Sequence, residues 1–83
     1  MSITPAQCRS ARSTLDMDQA ALASAAQVSR GVIIDFEKGR RMPGANNLAA
    51  IRRVLEEAGV VFIDDAAASP TGGPGVRLKT PLG

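Results

Sequence analysis

Residues able to cap a helix recur at Thr4, Asp18 and Ser29, and residues able to stop one stand at Gly39 and Gly59. That punctuation divides the first sixty positions into four short helical segments. In the first, Thr4, Pro5 and Gln7 supply a cap, a proline suited to the opening helical position and the glutamine of a Thr-x-x-Gln capping box. Ile3 and Cys8 flank it at hydrophobic-staple spacing, which assigns Cys8 to packing. A helix is predicted from Pro5 to Leu15. Asp18 opens a second, alanine-rich helix over Gln19–Ala26, with Leu22 and Ala26 one turn apart on one face. After a break at Gln27-Val28, Ser29 caps a third helix reaching about Lys38, in which Ile33, Phe36 and Glu37 share a face. Gly39 ends it and Pro43 prevents an early restart.

The fourth helix is predicted from Ala45 to Ala58, its apolar stripe formed by Leu48, Ile51, Val54, Leu55 and Ala58. Glu56 and Glu57 near its end oppose the helix dipole. Beyond Gly59 the pattern changes. Val60-Val61-Phe62-Ile63 is β-branched and apolar, Asp64–Gly75 is rich in Ala, Ser, Pro and Gly, and Val76-Arg77-Leu78-Lys79 alternates. Two strands joined by a loop are predicted. Because a lone hairpin is marginal in water, they need the helices or another subunit against them. The expected organisation is a mainly α domain over 1–59 and, over 60–83, a strand pair with its loop as a candidate dimerisation element.

A chain of 83 residues buries only about 60–65% of its unfolded surface, too little for a thick core around an extended cleft. It holds one cysteine and no histidine, so an intrachain disulfide framework, a metal site and His-based catalysis are all excluded from the reading. No glycine-rich phosphate loop adjoins a strand, and Asp64 and Asp65 lack a pocket that would tune them. No enzyme, cofactor, metal or small-molecule ligand is expected. The start shows no apolar leader, and no stretch reaches the roughly 18 apolar residues of a membrane span. A soluble, cytoplasmic protein is expected.

The net charge is only +2, but its distribution is uneven. Between Ser29 and Arg53 the bases Arg30, Lys38, Arg40, Arg41, Arg52 and Arg53 face only Asp35 and Glu37, whereas Leu55 to Asp65 carries Glu56, Glu57, Asp64 and Asp65 and no base. A basic middle beside an acidic edge suits a polyanion held on one face, or simply a solvated charged surface.

The second and third helices with their turn make a unit of about twenty residues, the size at which one helix braces another in a DNA groove. In detail, Asp18-Gln19-Ala20-Ala21-Leu22-Ala23, Val28-Ser29-Arg30, Ile33 and Phe36-Glu37-Lys38-Gly39-Arg40-Arg41-Met42-Pro43 closely resemble the Cro/repressor-type (Xre) helix-turn-helix family. The likeness continues through Leu48 and Ile51 and covers roughly residues 4 to 58. It implies a lambda-repressor-like domain of four helices, followed here by the short two-stranded appendage. It also implies binding of double-stranded DNA, with the segment 29–38 as recognition helix in the major groove. The family's phosphate-contacting glutamine falls on Gln19, at a helix start that offers free N–H groups to an anion. Arg12 and Glu37 fall where some members hold an ion pair between the first and third helices.

Base reading is expected from the third helix. Opposite Ile33 stand Gly31 and Asp35, flanked by Val32 and Ile34, with Ser29 and Arg30 at the leading turn. Arg30 either pairs with guanine O6 and N7 or holds a phosphate. Val32 and Ile34 are placed to meet thymine methyl groups. Asp35 either accepts from cytosine N4 or pairs with Arg30, the latter being favoured. Gly31 either permits close approach or is merely tolerated. Lys38, Arg40 and Arg41, with Asn46 as a lesser addition, are expected to grip the backbone. Gln27 departs from the family's turn glycine, so it is either held left-handed or the turn has another geometry. The expected function is transcriptional regulation by a homodimer, joined through residues 60–79, on an inverted repeat. The alternative is an antitoxin or adaptor module that uses the same fold for protein interaction.

Overall fold

The computed structural model describes residues 3–63 and 75–78. Four helices come first: α1 (Pro5–Leu15), α2 (Gln19–Ala26), α3 (Arg30–Glu37) and α4 (Ala45–Glu57). Two strands follow, β1 (Val60–Ile63) and β2 (Gly75–Leu78). The expected loop over 64–74 and Lys79 lie outside the described residues.

Each of the first three helices begins where its cap residue places it. The Thr4 hydroxyl accepts from the Gln7 N–H at 3.1 Å while Gln7 Oε1 accepts from the Thr4 N–H at 2.9 Å, the reciprocal bonds of a capping box. The Asp18 carboxylate accepts from Ala21 N–H at 2.7 Å and the Ser29 hydroxyl from Val32 N–H at 3.2 Å. Their ends share another device. Behind α1, α2 and α3 a left-handed residue turns the chain so that two successive N–H groups bond back to the last turn. At α1 these are Asp16 N–H to Ser13 C=O (3.2 Å) and Met17 N–H to Arg12 C=O (2.9 Å). At α2 they are Gln27 N–H to Ser24 C=O and Val28 N–H to Ala23 C=O, and at α3 Gly39 N–H to Phe36 C=O and Arg40 N–H to Asp35 C=O. The left-handed residue is glycine only at the third, Gly39, with φ 74°; Asp16 and Gln27 hold φ 54° and 60°. Met17 and Val28, the residues that follow, pack against the core.

The core gathers one face from every helix: Cys8 and Ala11, Leu22, Ala23 and Ala26, Ile33 and Phe36, then Leu48, Ile51 and Leu55, with Ile3 beneath the start of α1. Each large apolar side chain removed from water in this way contributes about 1.5–3 kcal/mol. Ala58, assigned to the apolar stripe by periodicity, is exposed and lies past the end of α4. The helix closes one residue sooner than its pattern.

The strands close over the helices. β1 and β2 pair antiparallel, with Val60 opposite Leu78, Val61 opposite Arg77, Phe62 opposite Val76 and Ile63 opposite Gly75. With a period of two, Val60 and Phe62 turn inward and join the helical core, Val76 packs against it, and Leu78 stays 43% exposed. Two tethers fix the sheet. Gln7 Nε2 donates to the Ile63 C=O at 3.1 Å, and the Arg52 guanidinium carbon lies 5.4 Å from the Phe62 ring centre, within cation–π range. Arg52 also bonds Glu56 Oε2 at 3.0 Å, which offsets an acid placed against the helix dipole. Among the described residues no helix is long and apolar enough to cross a membrane, and no group of three or more potential ligands is placed to hold a metal ion.

Candidate nucleic-acid interface

Short helices need bracing to present a face rigidly, and α3 has only eight residues. The bracing converges on one carboxylate. Glu37, 3% exposed at the end of α3, accepts from Arg12 Nε at 2.7 Å and Arg12 Nη2 at 2.7 Å. It accepts further from Cys8 Sγ at 3.1 Å and from Gln19 Nε2 at 3.1 Å. Its backbone carbonyl accepts from Arg9 Nη1. The side chain thereby ties α1, the start of α2 and the end of α3 to one point. Burial pushes this carboxyl up, but the hydrogen bonds from Arg12, Cys8 and Gln19 outweigh it and hold the group below its usual range. Burial and the adjacent carboxylate push the Cys8 thiol up, so it remains a protonated donor. The hydrogen bonds to Glu37 raise the Arg12 guanidinium above its ordinary value against its own desolvation.

The α2–α3 turn sets the angle between the two helices. Gln27 has φ 60° and ψ 41°, so of the two geometries open to the turn the chain adopts the left-handed one. A residue with a side chain pays roughly 1–2 kcal/mol for this conformation. Ser29 then caps α3 in extended backbone.

From the buried Ile33, steps of 100° per residue leave Gly31 and Asp35 on the opposite face. Ser29, Arg30 and Gly31 are exposed, and Arg30 makes no hydrogen bond or ion pair among the described residues. Val32 and Ile34 are half-buried rather than fully exposed. Val32 lines a small cavity of about 140 Å³ with Arg41, Met42, Pro43, Gly44 and Asn47, so the loop after α3 covers part of that side chain. Met42, 64% exposed, is a large apolar residue on this rim that periodicity does not single out. A Cβ built on Gly31 would meet only Ser29 Oγ, at 3.8 Å. The folded chain thus has room for alanine there, and glycine within a helix weakens it by roughly 0.5–1 kcal/mol.

Gln19 and Arg30 share a cleft of about 470 Å³ with Arg12, Asp18 and Ala20. The first N–H groups of a helix lack partners within it, and Gln19 and Ala20, the first two residues of α2, both line this cleft. The Asp18 carboxylate caps the same turn. One amide hydrogen of Gln19 is committed to Glu37, which leaves its second hydrogen and its backbone N–H for a ligand.

Lys38, Arg40 and Arg41 are exposed beyond α3, and Asn46 is exposed in the first turn of α4. The favoured pairing of Asp35 with Arg30 is not formed. Asp35 Oδ1 lies 3.9 Å from Arg40 Nη1 instead. Five positions along a helix amount to 140° of rotation, which separates Asp35 from Arg30. The left-handed Gly39 brings Arg40 back over the last turn, where its N–H already bonds the Asp35 carbonyl at 2.9 Å. Sequence reasoning passed over Arg9, which extends the basic surface to the end of α3. Its signal was its place three residues before Arg12 on one face of α1, and a cation there favours the C-terminal end of α3.

A helix with an exposed leading turn, braced by a second helix across a short turn and followed by a basic loop, defines a helix-turn-helix module for DNA. A family model for the Cro/C1-type helix-turn-helix matches residues 9–58, more than half of the chain. Comparison with curated proteins returns no match. The chain belongs to the Cro/C1-type helix-turn-helix family, a lambda-repressor-like fold, and is a DNA-binding helix-turn-helix protein. The matched span runs from within α1 past the end of α4 and does not include the strands.

Proposed function

We propose that this protein is a sequence-specific, non-enzymatic transcriptional regulator of the cytoplasm. It binds duplex DNA as a homodimer on an inverted repeat, with α3 and its capping residues (29–38) in the major groove. The observation that carries the reading is the exposed leading turn Ser29-Arg30-Gly31, set on a helix locked from behind by Glu37. Among the described residues the Arg30 guanidinium is uncommitted, and it suits guanine O6 and N7. Gln19 and the start of α2 hold a backbone phosphate on one side of the groove. Lys38, Arg40, Arg41 and Asn46 hold the backbone on the other, adding affinity that salt weakens. Ser29, Gly31, Val32, Ile34 and Asp35 make up the remaining surface against the base edges, with Val32 and Ile34 beside thymine methyls. Residues 60–79 supply the dimer contact.

Selection of bound sequences from random duplex DNA tests this reading. The expected result is a motif of two inverted half-sites centred about 34 Å apart, with a guanine position that loses its preference in Arg30→Ala. An unselective pool, or no retention of any duplex at low ionic strength, overturns it.

A further inference from the structure

Within the proposed DNA-binding reading, on which this inference rests, the structure assigns a specificity role to Asp35: its carboxylate reads the N4 amino group of a cytosine, with Gly31 providing the close approach and Arg40 the counter-charge.

Asp35 lies on the face opposite the buried Ile33, its side chain 35% exposed. The only partner of its carboxylate among the described residues is Arg40 at 3.9 Å, an ion pair too long for a hydrogen bond. Both oxygens therefore keep their acceptor capacity. A carboxylate turned toward a polyanion is repelled by it, and a solvated aspartate would gain nothing from the position. An ionised carboxylate accepts and cannot donate, so of the base edges in the major groove it suits the N4 amino group of cytosine.

Reach decides whether so short a side chain can do this. A helical side chain leans back over the residue four positions earlier, which for Asp35 is Gly31. The folded protein does not require a glycine there, since a Cβ would meet only Ser29 Oγ at 3.8 Å, and glycine weakens the helix. A smooth backbone one turn ahead of Asp35 lets the helix sit lower in the groove and brings the carboxylate to the base edge. Arg40, 65% exposed, screens the carboxylate from the nearby phosphates while its guanidinium remains free to turn toward them. Arg40 is fixed relative to Asp35 by the left-handed Gly39 and by its N–H bond to the Asp35 carbonyl, and Gly31 is placed one turn before Asp35 by α3 itself.

The test compares selected motifs for wild type, Asp35→Asn, Arg40→Ala and Gly31→Ala, with folding checked by circular dichroism. The wild-type motif should contain a cytosine whose replacement weakens binding about 5- to 150-fold. Asp35→Asn, with nearly the same shape, should lose that preference and gain adenine, to which asparagine donates and accepts. Arg40→Ala should weaken all duplexes alike and keep the cytosine. Gly31→Ala should fold more stably yet bind the selected site more weakly. A wild-type motif whose preferences are identical in Asp35→Asn overturns the inference and leaves the DNA-binding reading intact, because a purely structural Asp35 would change affinity without changing base choice. Failure of the wild type to select any sequence overturns both.

Discussion

Glu37 concentrates more of the fold in one side chain than any other polar residue described. Four donors reach its carboxylate from two helices, and removing one partner of such a buried pair leaves an uncompensated charge, at about 3–5 kcal/mol. For a small domain with about 5–15 kcal/mol in hand, Glu37→Gln should therefore shift the urea midpoint sharply downward at neutral pH. Because the folded-state carboxyl is held below its usual range, its stabilisation is present above the ordinary carboxylate pKa and is lost as pH falls through the folded value. The gap between wild type and Glu37→Gln should be widest near pH 7 and narrow steadily on acidification, read by urea titrations at several pH values. A gap independent of pH would mean that shape rather than ionisation does the bracing. The pairing of Arg12 with Glu37 was open to sequence reading through the family likeness. The convergence of Cys8 and Gln19 on the same oxygens was not, because it depends on three elements meeting in space.

At the scale of elements, the helix starts were legible because capping is local. Thr4, Asp18 and Ser29 each satisfy an N–H within three residues, so the sequence contains the whole interaction. Helix ends were legible at Gly39 and Gly59, where glycine announces the turn, and at Leu15, where α1 stops as predicted, but the left-handed backbone of Asp16 that makes that stop carries no such mark. Gln27 lay between, with two geometries open to it. The partner of Asp35 was misjudged for the same reason. Proximity through a left-handed turn cannot be counted along the chain. The turn makes a test. Gln27 and Asp16 are strained only by their side chains, and glycine removes that strain while adding chain entropy to the unfolded state. Gln27→Gly should raise stability by up to about 1 kcal/mol and leave α2 and α3 at the same angle, measured as a higher midpoint with an unchanged DNA motif. Destabilisation would show that the Gln27 side chain itself supports the turn.

Across the molecule, the DNA-binding reading and the strand packing combine into a statement about assembly. Val60 and Phe62 belong to the helical core, so deleting residues 60–83 would damage the monomer and could not report on association alone. Leu78 offers a cleaner probe. It ends β2 on the inward side yet is 43% exposed, and among the described residues each strand has one strand neighbour, leaving backbone groups able to recruit another chain. Leu78→Glu, sparing the core, should shift sedimentation toward the monomer. Two half-sites bound together owe their affinity to linkage, so the variant should lose most on a full inverted repeat and little on an isolated half-site. Arg41→Ala serves as the contrast. Loss of one phosphate contact should weaken both DNAs alike and reduce the slope of log affinity against log salt by about 0.9 per subunit. If Leu78→Glu instead weakened half-site and full-site binding equally while remaining dimeric, residues 60–79 would not be the dimer contact, and the two-fold symmetry expected of the operator would have to arise from another face.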